Sequence, residues 1–164
     1  MSLKYPISPC LWFDHQAQEA AEFYVGVFDN ARIIGMTHYG EAGFAVHGRP
    51  AGSVMSVSFE LGGQAFTALN GGPVFTFNEA ISLQIYCEDQ PQLDYYWERL
   101  SVGGDPAAQQ CGWLKDKYGV SWQILPTLLQ EKIGSTNAVQ NDRLMTALLQ
   151  MKKLDIARLE QALA

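Results

Sequence analysis

The residues of this chain able to do chemistry are few, and one stretch concentrates them: Cys111-Gly112-Trp113-Leu114-Lys115-Asp116-Lys117-Tyr118-Gly119-Val120-Ser121-Trp122-Gln123-Ile124-Leu125-Pro126. Trp113, Val120, Trp122 and Ile124 are strand formers, and Asp116 to Gly119 is a turn-type cluster, so the stretch reads as a β-hairpin. Strand periodicity then sends Trp122 and Gln123 to opposite faces. A cysteine attacks as its thiolate and needs a cation, an imidazole or a helix N-terminus beside it. Cys111 has none of these predicted nearby and reads as a buried, inert thiol. Glu79 would serve as acid or base if buried, against a capping or solvated role at a strand start. Asp116 belongs to the hairpin turn and is expected to bond its own backbone. The histidines His15, His38 and His47 read as solvated loop or helix-start residues.

The 164 residues suit one domain, and 48% apolar content can bury a core without disulfides or a structural metal. A formal charge of −6, with 11 Lys plus Arg and no basic run, argues against a surface that tracks phosphates. Nucleic acid and anionic membrane are therefore not expected partners. Apolar runs stop well short of the roughly 18 residues of a membrane span, and the N-terminus has no signal-peptide apolar region, so a cytoplasmic protein is expected. Cys10, Cys87 and Cys111 are odd in number and fit no C-x-x-C pattern, which suggests neither a disulfide framework nor a zinc knuckle.

The elements that must position these residues follow from periodicity. Pro6 to Asp14 predicts a strand, and Gln16 to Phe28 an amphipathic helix with Ala20, Phe23, Tyr24 and Val27 at helical spacing and Asp14 as a candidate cap. A strand over Ala31 to Tyr39, a Gly-rich loop, a strand over Ser53 to Leu61, a Gly62-Gly63 turn and a returning strand to Leu69 complete the first half. Asn70 to Asn78 has the composition of a linker. The order repeats: strand Ala80 to Cys87, helix Pro91 to Ser101, loop Val102 to Ala108, and strands ending at Val120 to Leu125, so both halves read as βαβββ. Gln18 to Tyr24 aligns on Pro91 to Trp97, and Leu61 to Leu69 on Lys117 to Leu125, as a weak internal repeat. Past Pro126 helix formers dominate: Thr127 to Ile133, a break at Gly134 to Asn137, Asn141 to Met151, and a last helix with Asp155 as N-cap and Leu154 and Leu159 as a hydrophobic staple.

The hairpin, together with Asn70-Gly71-Gly72-Pro73-Val74-Phe75-Thr76-Phe77-Asn78-Glu79-Ala80-Ile81-Ser82, resembles the PhnB-like family of the vicinal oxygen chelate superfamily, often labelled 3-demethylubiquinone-9 3-methyltransferase-like. The likeness extends from about Ile7 to Leu159. It implies an α+β fold of two βαβββ modules, about 5–71 and 79–126, forming the curved mixed sheet of the glyoxalase/bleomycin resistance/dioxygenase fold. The modules make one domain, 1–126, with a helical C-terminal extension, 127–164, packed on it. A homodimer is implied as well.

Metal-dependent members of that superfamily place His or Glu ligands on the first and last strand of each module. The corresponding positions here are Cys10, Thr67 and Gln123, with Ser82 or Gln84 as the third. A thiol, two hydroxyls and an amide make a poor site for Zn²⁺, Fe²⁺ or Ni²⁺, so neither a metal nor any other cofactor is expected. A Rossmann-like S-adenosylmethionine site would need a Gly-rich turn between strand and helix, and none is present. Phe66 and Trp122 share one strand parity and should pack beneath the helices. Thr67, Gln123, Trp12 and Cys10 share the other and should face a cavity, with Trp113 closing one wall. The leading expectation is therefore a protein that binds a small, partly aromatic or amphipathic molecule through Cys10, Trp12, Thr67, Ser82, Gln84, Trp113, Gln123 and Glu79. Two alternatives compete with it. One is a metal-dependent lyase, isomerase or oxygenase taking ligands from His38 or His47, and the other a non-catalytic subunit whose dimer surface is its function.

Overall fold

A computed structural model describes residues 4–132 and 137–164, and the chain divides into two units, Met1–Thr76 and Phe77–Ala164. The division falls inside the segment whose glycines and proline read as linker.

The first unit is a βαβββ module: β1 (Cys10–Phe13), α1 (Ala17–Val27), β2 (Ala31–His38), a single helical turn α2 (Phe44–His47), β3 (Val54–Leu61) and β4 (Gln64–Asn70). Its sheet runs β1-β4-β3-β2, parallel only between β1 and β4. Alternation decides the faces. Leu11, Phe13, Val57, Phe59, Phe66 and Ala68 are buried, and α1 adds Ala17, Ala20, Ala21, Tyr24 and Val27. The first strand is shorter than the expected Pro6 to Asp14, because ladder pairing is confined to the four residues opposite Thr67 to Asn70 and the approach carries Pro6 and Pro9.

Asp14 does not cap α1. The parallel register sets Phe13 opposite Asn70 and so brings Asn70 to the helix start, where its Oδ1 accepts from the Ala17 N–H at 2.8 Å and its amide donates to the Val54 carbonyl at 3.0 Å. Asp14 instead meets the Arg49 guanidinium at 2.9 Å, and that guanidinium also donates to the Asp14 carbonyl at 2.6 Å.

The second unit has β5 (Leu83–Cys87), α3 (Gln90–Ser101), a short 3-10 turn at Pro106–Ala108, β6 (Trp113–Lys115), β7 (Ser121–Pro126), α4 (Thr127–Lys132), α5 (Ala138–Leu149) and α6 (Ile156–Leu163). Its sheet is β5-β7-β6, so this module is one strand short of βαβββ. The reason is local. After α3 the chain turns at Gly104, whose N–H donates to Ser101, and Asp105 caps the turn begun by Pro106, which has no N–H to give a ladder. The mixed α+β class holds in both units, and the internal repeat is in register: Ala20 and Leu93, Tyr24 and Trp97, Phe66 and Trp122 are all buried.

The C-terminal segment is tied to this second unit. Cys111 and Gly112 both take positive φ, 53° and 85°, which aims their N–H groups at the carbonyls of Met151 and Lys152, each at 2.8 Å. A Cβ on Gly112 would lie 3.0 Å from the Ile124 carbonyl oxygen and 3.1 Å from Leu154 Cδ1. Gln90 clasps the other side, donating to Leu154 O and accepting from the Ile156 N–H. Asp155 caps α6 through the Arg158 N–H, and the staple residues Leu154 and Leu159 are fully buried. Helix α5 starts three residues earlier than its apolar stripe predicted, because Asn137 and Gln140 form a capping box. The expected end of α4 at Ile133 and the break at Gly134 to Thr136 lie outside the described residues.

Candidate functional site

The second unit gathers five of the predicted site residues. Gln123 of β7 lies opposite Gln84 of β5 and Trp113 of β6, so the three side chains share a face, and Ser121 and Lys115 join them at the next paired position. The opposite face carries Leu83, Ile85, Leu114, Trp122 and Ile124, packed with Leu93, Trp97 and Leu100 of α3. Trp122 is 2% exposed. Its burial, with that of Phe66 in the first unit, follows the parity read from the sequence.

The Gln123 amide is held in place. Its Nε2 donates to Ser82 Oγ at 2.7 Å, while its Oε1 faces the Gln84 amide at 3.4 Å, and Tyr86 donates to Gln84 Oε1 at 3.2 Å. Ser82 and Gln84, weighed as alternatives for one position, thus bracket Gln123 together. Being two residues apart, they can occupy the same face.

Beside this relay lies a cavity of about 450 Å³ with Glu79, Gln110, Cys111, Trp113, Lys115 and Ser121 in its wall. Glu79 is exposed rather than buried and pairs with Lys115 Nζ. That bond holds its carboxyl below the ordinary value of 4.5, so it stays a carboxylate and is not poised as an acid near neutrality. The Ser121 hydroxyl is buried and has no hydrogen-bond partner. Cys111 is not the strand thiol expected: it sits in a turn at positive φ and lines the cavity. Lys115 and Ser121 were missed by sequence reasoning. Their parity relative to Gln123 was available, but Lys115, next to the turn cluster Asp116 to Gly119, drew no reading of its own.

The hairpin itself is fixed by Asp116. Its buried carboxylate accepts from the N–H groups of Tyr118 and Val120, at 2.9 and 3.0 Å, and from the Trp122 indole N–H at 2.8 Å. The turn-bonding expected for it is present, and the indole contact anchors the strand that carries Gln123.

In the first unit Cys10 and Thr67 are direct partners across β1 and β4. Cys10 is exposed, although partial burial of its sulfur raises the thiol above its ordinary 9.0. Trp12 is engaged by the linker: its indole N–H donates to the Gly72 carbonyl at 2.8 Å, Phe75 packs edge-on at 5.0 Å, and a Cβ on Gly71 would fall 2.2 Å from the ring. Cys87 is buried in the second unit, and burial with the nearby Asp89 charge pushes its thiol up to about 12. His47 stacks on Tyr39 at 4.5 Å, and His15 is exposed beside Asp14. Cys10, Thr67, Ser82, Gln84 and Gln123 offer a thiol, hydroxyls and amides, a donor set that does not fit a transition metal. Among the described residues no three His, Cys, Asp or Glu side chains group as a cation would need. No described helix is long and apolar enough to cross a membrane.

Comparison with known proteins gives this geometry a family. The 3-demethylubiquinone-9 3-methyltransferase family profile matches residues 5–125. The structure of a PhnB protein from Bacillus cereus, which carries the same methyltransferase designation, is 33% identical, with a TM-score of 0.62 over 74% of this chain and 99% of that one. Protein PA1353 from Pseudomonas aeruginosa is 19% identical at a TM-score of 0.56, covering 75% of this chain and 98% of that one. A fosfomycin resistance protein, FosX, from Listeria monocytogenes is 14% identical at 0.50, covering 80% and 99%. The last two show the fold alone. Among curated proteins nothing matches. The chain belongs to the PhnB-like, 3-demethylubiquinone-9 3-methyltransferase family.

Proposed function

We propose that this protein binds a small, partly aromatic or amphipathic molecule on the metal-free sheet face of Gln123. The observation that carries the reading is the amide relay Ser82–Gln123–Gln84 beside a cavity walled by Trp113. An indole supplies apolar area, while a fixed amide supplies a donor and an acceptor that orient a ligand. Amides and hydroxyls at these strand positions favour binding over metal-assisted chemistry. Methyl transfer, which the family designation suggests, stands apart from this reading: the turns Asp14–Gln16 and Glu88–Asp89 that lead into α1 and α3 contain no glycine to cradle a cofactor phosphate or carboxylate. Thr67 and Cys10, paired across β1 and β4, are proposed as ligand contacts on their own sheet face.

A homodimer belongs to the same proposal, as does residence in the cytoplasm. β2 is an edge strand with Ile34 and Met36 exposed, a surface that association would cover. Sedimentation at micromolar protein is expected to return twice the chain mass; a monomer contradicts that part.

Binding is tested by screening aromatic metabolites, thiol conjugates, phosphonates and antibiotics while following the Trp113 indole N–H by NMR. At least one class is expected to shift that resonance in wild type and to lose affinity in Gln123→Ala. A silent panel, or affinity indifferent to Gln123, overturns the reading.

A further inference from the structure

The Ser121 hydroxyl is the one buried side-chain polar atom among the described residues left without a partner. Such groups are rare in folded proteins because they lose water and gain nothing, and alanine would fill the same space at no such cost. Ser121 is 2% exposed and lies directly opposite Lys115 across the β6–β7 pair, in the wall of the 450 Å³ cavity. Paired antiparallel residues have adjacent side chains, so Lys115 and Ser121 are neighbours on this face.

Lys115 is itself held by a partner that is easily exchanged. Its side chain is 26% exposed, whereas that of Glu79 is 61% exposed. An ion pair with one solvated member contributes little, and the carboxylate that leaves returns to water at little cost. Lys115 is the single cation of the cavity wall, which suits a monoanion better than a dianion. The remaining wall near the 3-10 turn, Ala107 and Ala108 with the Trp113 indole, is apolar.

We propose that this cavity is a carboxylate subsite: the carboxylate of a small organic acid replaces Glu79 on Lys115 and accepts a hydrogen bond from Ser121, while its apolar body lies on Trp113 and Ala107. The inference rests on the reading of the Gln123 face as a ligand face, and names the ligand class. Both contacts to the ligand are charge-assisted, which is what makes them stronger than the neutral bonds an isosteric amide would form.

Benzoate and benzamide, equal in shape and different in charge, are the probes, titrated into the full-length protein while the Trp113 indole N–H is followed by NMR. Benzoate is expected to bind roughly tenfold more tightly, about 1.4 kcal/mol. Lys115→Met should erase that preference. Ser121→Ala should weaken benzoate several-fold without lowering the melting temperature, since it removes no existing bond. Glu79→Gln should tighten benzoate by freeing Lys115, an opposite sign that a merely structural ion pair does not give. Equal affinity for the two probes, or weaker benzoate binding in Glu79→Gln, overturns the proposal. If Lys115→Met fails to fold, the signs of Glu79→Gln and Ser121→Ala decide alone. Benzamide binding that depends on Gln123, with benzoate no better, sinks the carboxylate subsite and leaves the binding reading standing. Silence from both probes and from the wider panel sinks both.

Discussion

In the first unit the face shared by Cys10 and Thr67 carries Ser58, Leu69 and the Trp12 indole, which the linker holds at Gly72, and where hydroxyls meet, at Thr37 and Ser56, they bond to each other at 2.7 Å. In the second unit the matching face carries two amides, an indole and an ammonium, with the Gln123 amide pinned by Ser82. The cores beneath are built alike, each with one buried polar side chain that locks a strand end: Asn70 caps α1, and Asp116 closes the hairpin. What differs is the kind of polar group beside the indole: hydroxyls and an Arg32–Glu60 pair in the first unit, linked amides and a Lys115–Glu79 pair in the second. Equivalent strands thus give the two units different polar faces, and the proposed binding is assigned to the second.

The sharpest way to break the comparison is to remove the buried aromatic of each last strand. Trp122→Ala is expected to cost roughly 3 to 5 kcal/mol by chemical denaturation, a large share of a domain total on the order of 5 to 15 kcal/mol. Phe66→Ala, which removes one of the two rings stacked on Phe59 and leaves Tyr24, should cost less, because Trp122 also carries the indole bond to Asp116. The reverse order would mean that the two cores are not equivalent. Next in size is the pair of locks. Asp116→Ala strands two backbone donors and the indole, for about 3 kcal/mol, whereas Asn70→Ala strands one helix N–H and the Val54 carbonyl and should cost about 1 to 2 kcal/mol. Gly112→Ala should cost about 1 to 2 kcal/mol and make the chain beyond Met151 a preferred site of limited proteolysis, since the N–H groups of Cys111 and Gly112 that hold that segment would be disturbed.

Acid separates the units least. Asp14, through Arg49, and Glu79, through Lys115, are both held below their ordinary values of 3.8 and 4.5. The folded state therefore takes up these protons at lower pH than the unfolded chain does. The stabilisation is complete above the ordinary carboxylate range and is lost as pH falls through the depressed values. Both groups are solvated, so the midpoint of acid unfolding should move only slightly in Asp14→Asn and in Glu79→Gln; a large shift in either would mark a buried coupling.

Much of the scaffold was legible because strand parity and helix spacing are local. The parity of Phe66 and Trp122, the register of Tyr24 on Trp97 and the cap at Asp155 all follow from residues near in sequence. What failed to show depends on distant contacts. Asn70 caps α1 from across a parallel pair, which displaces Asp14 onto Arg49. Cys111 leaves the expected strand because its N–H is claimed by Met151. The loop Val102 to Ala108 was legible, but the βαβββ order taken from the repeat added a strand that the second module lacks. On the proposed face, the shared strand parity of Gln123 and Trp113 follows from the hairpin reading. Lys115 and Ser121 stayed hidden, since pairing with Glu79 and an unpartnered hydroxyl appear only once side chains meet in space.

The central claim is that Gln123 serves a ligand while its neighbour Trp122 serves the core, and Gln123→Ala tests it most directly when stability and affinity are read on the same sample. The Gln123 bonds to Ser82 and Gln84 are part-buried or exposed, so the change should cost less than about 1 kcal/mol and leave the melting temperature nearly unchanged. Affinity for a ligand that shifts the Trp113 indole should fall roughly tenfold. A variant that unfolds, or one that binds as the wild type does, contradicts the account.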